Sequence, residues 1–200
     1  PEIQEPIRGV VVRSFAFETD PYLTSLTTAA VNSGVDSSGP WIVAEDTIFY
    51  PEGGGQPSHR GTITSTDVLG VHRRGPHVVH RLSAPVETAE ILMVLDWALR
   101  WDHMQQHSAQ HLLTAVAADR FGWATTAFHL GAEVSDVELD AQHLSPSDLE
   151  RLEAEVAGEI RRDRRISARW VSLEEFESLT VRSRGLPAGH SGEIRLVEID

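Results

Sequence analysis

The stretch WALRWDHMQQHSAQHLLTAVAADRF, residues 97–121, contains neither glycine nor proline. It spaces Trp97, Trp101, Met104, Leu112 and Ala115 at helical intervals, with Ser108 as a small polar interruption on the same stripe. This predicts one long helix that ends at Gly122. Everything before it has another character. The runs IRGVVVRSFAF, WIVAEDTIFY, HVVHRL and EILMVLDW are β-branched or aromatic, and turn-rich pieces such as NSGVDSSGP and GGGQP separate them. The pattern therefore changes near residue 95. Residues 1–95 read as a β-rich module and residues 96–200 as an α+β module.

Within the second module, TAFHLGAEV and DVELDA alternate like the arms of a hairpin. A helix is predicted from Ser145 as N-cap, with Pro146 at its first position and Asp148 in its first turn. Leu149, Leu152, Val156 and Ile160 form its apolar stripe. ISARWV reads as a strand, SLEEFESL as a short helix with Ser172 and Glu175 in a capping box, and GEIRLVEID as a terminal strand.

Charge narrows the function classes. The net charge is −13, and all 17 basic residues are arginine, which disfavours generic binding to a nucleic-acid backbone. The arginines are uneven, however: RRDRRISAR places Arg161, Arg162, Arg164, Arg165 and Arg169 close together, and Arg73, Arg74 and Arg81 form a second group. Either cluster is a solvated surface or a local phosphate contact. No apolar run reaches the roughly 20 residues that span a bilayer. No secretory signal is evident, and there is no cysteine. The expectation is a cytoplasmic protein without thiolate chemistry.

Two motifs point to chemistry. FYPEGGGQPSHRG sets Gly53, Gly54 and Gly55 before Gln56, which implies unusual dihedrals or a close backbone approach. It matches neither a phosphate loop nor a dinucleotide fingerprint. HSAQHLL puts His107 and His111 four residues apart on the predicted helix, within reach of one zinc ion. Ser108 stands where a zinc protease would carry its glutamate base, so that mechanism is unsupported.

Taken in order, FYPEGGGQPSHRGTI, LRWDHMQQHSAQHLL, FHLGAEVSDVEL, LSPSDLERLE and GLPAGHSGEIRLVEI resemble the AlaX family of freestanding alanyl-tRNA editing proteins. These are relatives of the editing domain of alanyl-tRNA synthetase and of the second domain of threonyl-tRNA synthetase. The resemblance implies an α+β fold, a β-barrel-like glycine-rich module followed by an editing core. It implies hydrolysis of serine or glycine from mischarged tRNA(Ala), in the cytoplasm. It also implies zinc held by His107 and His111 plus a Cys-x-x-x-His pair, which would follow a strand like IRLVEI. That pair would lie past Asp200, so a chain truncated at its C-terminus is expected, and His190 or His103 are the other ligands to consider. At His59 the family carries an acidic residue.

On this reading Gln56 orients the substrate, and Thr125 and Thr126 hydrogen-bond the serine hydroxyl. Gly53, Gly54 and Gly55 approach the tRNA terminus, or else shape the pocket wall. Arg161 and Arg162 contact phosphate. The alternatives are a metal-free module that binds an aminoacyl-tRNA end or a partner, and an enzyme acting on another aminoacyl ester.

Overall fold

The computed structural model describes residues 14–131, 133–179, 186 and 192–200. Six antiparallel strands close into a barrel: β1 (Ser25–Asp36), β2 (Gly39–Ala44), β3 (Gly61–Ile63), β4 (Thr66–Arg74), β5 (His77–Leu82) and β6 (Glu90–Leu95), in the order β1-β2-β5-β4-β3-β6. Pairing of β1 with β6 completes the ring and leaves no open sheet edge. Strand β6 has the alternation that a barrel wall requires. Ile91, Met93 and Leu95 point into a core shared with Ile42, Ile48, Phe49, Ile63 and Val71, while Leu92 and Val94 face outward.

Two expectations for this region fail for physical reasons. NSGVDSSGP is not a connector, because β1 runs through Asn32, Ser33 and Gly34 as it pairs with β2. A side chain at Gly34 would meet the Trp41 ring at 2.9 Å, so glycine there is a packing requirement and not a turn signal. The described end of IRGVVVRSFAF is also no strand. Phe15 caps a helical turn, α1 (Ala16–Thr19), and buries its ring with Phe17 beneath the barrel core. Residues 7–13 of that run lie outside the described residues.

Helix α2 (Trp97–Phe121) starts two residues after β6, capped by the Asp96 carboxylate, and stops at Gly122 in the left-handed region. Strands β7 (Ala124–His129) and β8 (Asp136–Asp140) form the expected antiparallel pair. Helix α3 (Pro146–Arg161) has the Ser145–Asp148 capping box, β9 (Ile166–Val171) pairs with β10 (Ile194–Ile199), and α4 (Leu173–Ser178) lies between them. Ser172 caps α4, but the Glu175 carboxylate pairs with Arg169 instead of closing a second capping box. A small cluster of Val116, Ala117 and Leu152 joins α2 to α3. The chain is α+β. Among the described residues no helix is long and apolar enough to cross a membrane.

The buried side of α2 departs from the apolar stripe read in the sequence. Trp97 and Trp101 are exposed and lean on Tyr22, with ring centroids 6.1 and 6.5 Å away. The residues turned inward are Arg100, His103, Thr114, Val116 and Ala117. Arg100, His103 and His107 follow a spacing of i, i+3 and i+7 and meet residues 21 to 59, so this docking stripe of α2 is polar.

Candidate active site at the junction of barrel and helix

The triple glycine makes a two-residue turn. Gly53 and Gln56 exchange backbone hydrogen bonds of 3.0 Å in each direction, and between them Gly54 (φ 62) and Gly55 (φ 86) are both left-handed. That is the turn in which both central residues need positive φ. Gly55 has a second reason to be glycine. Its carbonyl accepts from Leu130 N at 2.8 Å, and a Cβ would lie 2.2 Å from the Phe128 carbonyl oxygen. The turn is thereby pressed against β7.

Gln56 is delivered inward from this turn and is buried. Its amide oxygen lies 2.8 Å from His107 Nδ1, and its amide nitrogen is 3.4 Å from His59 Nε2. The rings of His107 and His111 stack with centroids 4.8 Å apart, and Phe128 flanks His107 at 6.0 Å. The glycine turn, the helical histidine pair and β7 thus meet in one place. Burial, with a smaller contribution from His111, pushes the His107 pKa down to about 4. His111 keeps an edge open to solvent, and packing lowers its pKa as well. Both rings are neutral at pH 7.

Behind them sits Arg100, 3% exposed, with no carboxylate among the described residues in its hydrogen-bond set. Its guanidinium donates to Pro21 O and Ile48 O, both at 2.7 Å, and to His59 Nδ1 at 3.1 Å. Desolvation lowers its pKa to about 10, so it remains a cation. His59 also accepts from Tyr50 N at 3.1 Å, and desolvation followed by the Arg100 charge drives its pKa down to about 2. His103 stacks on His59 with centroids 5.7 Å apart, and its buried Nδ1 has no hydrogen-bond partner.

The remaining candidates are spread more widely. Thr125 carries a buried hydroxyl without a partner, whereas Thr126 is exposed and its hydroxyl donates to Glu138 O at 3.4 Å. Arg162 and Arg164 hold the Glu159 carboxylate at 2.5 and 2.7 Å, and no ion pair among the described residues involves Arg161 or Arg165. The arginine cluster therefore also anchors the end of α3 to β10, with Arg164 reaching Asp200 O at 2.5 Å. His190 lies outside the described residues. Arg100 was not singled out from the sequence; the polar i, i+3, i+7 spacing with His103 and His107 was the available signal.

No protein-family model matches the chain. Named relatives do. The alanyl-tRNA editing protein Aarsd1 of Danio rerio is 45% identical over 160 residues, covering 80% of this chain and 39% of that protein. Aarsd1-A of Xenopus laevis is 39% identical over 200 residues, covering 94% of this chain and 48% of its own length. The alanyl-tRNA editing protein AlaX-L of Pyrococcus horikoshii is 32% identical over 168 residues, 80% of this chain and 40% of that one. This chain belongs to the AlaX family of alanyl-tRNA editing proteins. It spans less than half the length of these AlaX relatives.

Zinc bound by an AlaX protein would need more donors than this region presents. His107 and His111 supply two, and no cluster of three His, Cys, Asp or Glu side chains exists among the described residues. Structural zinc sites take four protein ligands and catalytic ones usually three plus water. Two histidines alone match neither set.

Proposed function

We propose that the chain carries the substrate-facing part of a deacylase that edits mischarged tRNA(Ala). The observation that carries this reading is the contact between Gln56 and His107, which unites the two motifs of the family in one cleft. The names of the relatives, alanyl-tRNA editing proteins, supply the substrate class.

The reaction is addition of water to the aminoacyl carbonyl. The ester C–O bond to the terminal ribose breaks, and free amino acid and uncharged tRNA leave. The ester is intrinsically labile, so positioning and selection are the main tasks. Neutral His107 and His111 can orient the carbonyl or the water, and Gln56 fixes the His107 ring. The unpartnered Thr125 hydroxyl suits the hydroxyl of serine: alanine would leave it unsatisfied, and a loss of this kind discriminates strongly. Thr126 is the alternative hydroxyl. Gly53 to Gly55 wall the cleft and meet the tRNA end, while Arg161 and Arg162 contribute phosphate contacts. Zinc, when completed by a further Cys and His, would polarise the ester carbonyl or acidify a water. Localisation in the cytoplasm, where tRNA is charged, belongs to the same reading.

The experiment is release of amino acid from Ser-tRNA(Ala), Gly-tRNA(Ala) and Ala-tRNA(Ala), using this chain and a longer chain supplied with a Cys-x-x-x-His pair after the last strand. Faster release of serine or glycine than of alanine by the longer chain is expected. Equal, buffer-level release from all three would sink the editing reading. A second reading, a metal-free module that binds an aminoacyl-tRNA end, draws on the two-histidine donor set. It predicts tRNA binding without hydrolysis by both chains.

A further inference from the structure

Four side chains form a continuous line from the helix into the segment between β2 and β3 and back: Arg100, His59, Gln56 and His107. Their hydrogen-bond chemistry is self-consistent in one direction only. A guanidinium donates and never accepts. Arg100 Nε and the Tyr50 backbone N–H both donate to His59 Nδ1, each at 3.1 Å. His59 Nδ1 is therefore a lone pair. Burial beside the Arg100 charge keeps the ring neutral, so its single hydrogen is on Nε2.

That hydrogen faces the Gln56 amide. With the amide nitrogen turned to His59, at 3.4 Å, two donors confront each other. A half-turn of the carboxamide exchanges its ends without changing its shape. The oxygen then meets His59 Nε2–H, and the NH2 group lies at the position 2.8 Å from His107 Nδ1. His107 Nδ1 becomes the acceptor, and the neutral ring carries its hydrogen on Nε2.

We infer that Arg100 and His59, acting through Gln56, are positioning residues that hold His107 as its Nε2–H tautomer. This imidazole thus meets a ligand as a hydrogen-bond donor, suited to a carbonyl oxygen, and not as a lone pair suited to a cation. Residue 59 sets the direction. An acceptor-only carboxylate there would take the amide NH2, return the amide oxygen to His107 Nδ1–H and leave Nε2 as a metal-ready lone pair. The incomplete donor set for zinc and the tautomer of His107 then have the same sense.

The test is a long-range 1H–15N correlation on zinc-free protein labelled at histidine nitrogens, near pH 7. Protonated Nε2 is expected at both His59 and His107, and a protonated Nδ1 at His107 would overturn the inference. His59→Asp should convert His107 to the Nδ1–H form and tighten binding of zinc alone by roughly tenfold or more. An unchanged tautomer or unchanged affinity in that variant counts against the inference equally. Should His59→Asp fail to fold, Gln56→Met provides the check. His107 should lose its fixed tautomer while His59 keeps its Nε2–H, and an unmoved His107 pattern would overturn the relay. None of these signals depends on deacylation, so an inactive protein would sink the editing reading and leave this one standing.

Discussion

His107 Nδ1 lies 2.8 Å from the side-chain amide of Gln56, although 51 residues separate them in the chain. One belongs to a turn on the barrel and the other to a helix that follows it. This junction is therefore set by whatever fixes the turn and the helix relative to each other.

Gly53 and Gly55 should respond very differently to alanine. At Gly55 the φ of 86° and a Cβ position 2.2 Å from the Phe128 carbonyl oblige the turn or β7 to move. Gly55→Ala should lower stability by about 2 kcal/mol or more and depress deacylation. Nothing lies within 4 Å of a Cβ at Gly53, so Gly53→Ala should stay within about 0.5 kcal/mol of the parent. Urea unfolding of both variants checks this, and equal losses would refute it.

Arg100→Met should be strongly destabilising although it swaps a charge for an apolar chain of similar length. It leaves the Pro21 and Ile48 carbonyls without that donor, and His59 Nδ1 with the Tyr50 N–H alone. Each buried unsatisfied group costs about 1–3 kcal/mol, so a loss of roughly 3 kcal/mol or more is expected. The denaturant midpoint measures it. A midpoint within error of the parent would mean that water replaces the guanidinium.

Acid should weaken the barrel through His80. This ring is fully buried, 2.8 Å from Thr47 Oγ1 and 3.2 Å from Ile42 O, and desolvation pushes its pKa from 6.5 to about 4. The unfolded chain takes up the proton first as pH falls. The His80 contribution is thus complete above pH 6.5 and is lost progressively as pH drops through 4, by up to about 3 kcal/mol. Stability measured from pH 7.5 to 4 should decline less steeply in His80→Gln. Parallel curves would assign the slope to other groups.

Zinc content should track ligand number. Purified as these 200 residues, the protein should hold well under one equivalent of zinc, because His107 and His111 are two donors and a stable site needs three or four. Should a longer form carry a Cys-x-x-x-His pair, one equivalent of zinc in it would require His107 to give up its Nε2 hydrogen, so zinc content and the His107 tautomer should change together. Elemental analysis of the two proteins decides the matter. Stoichiometric zinc in the shorter one would direct attention to His103 and His190.

The sequence revealed the elements whose signals are local. Ser145, Pro146 and Asp148 begin α3, Gly122 ends α2, and the alternation of EILMVL is the wall of the barrel. What it concealed depends on partners distant in the chain. Gly34 reads as a turn until Trp41 is seen lying over it, and Phe15 reads as strand until its ring is placed beneath the barrel core. The same holds for the site. His107, His111 and Gln56 were legible as motifs, whereas Arg100 gains meaning only from Pro21 and Ile48, 79 and 52 residues away. The apolar spacing of Trp97 and Trp101 pointed to the wrong face of α2, because the Pro21 and Ile48 carbonyls call for a polar one.

The docking of Arg100 also bears on the order in which the molecule assembles. Its bond to Pro21 joins residues 79 apart, and such distant contacts carry a large loop-closure entropy and form slowly. During synthesis the glycine turn leaves the ribosome well before His107, and N-terminal parts fold first. The barrel strands are complete at Leu95, so the turn has a scaffold while the helix is still arriving. Until Arg100 reaches its carbonyls, Gln56 has His59 beside it but no His107 ring to engage. On the proposed editing reading, assembly of the site is therefore a late event in folding, and a nascent chain caught earlier would have a folded first half and no site.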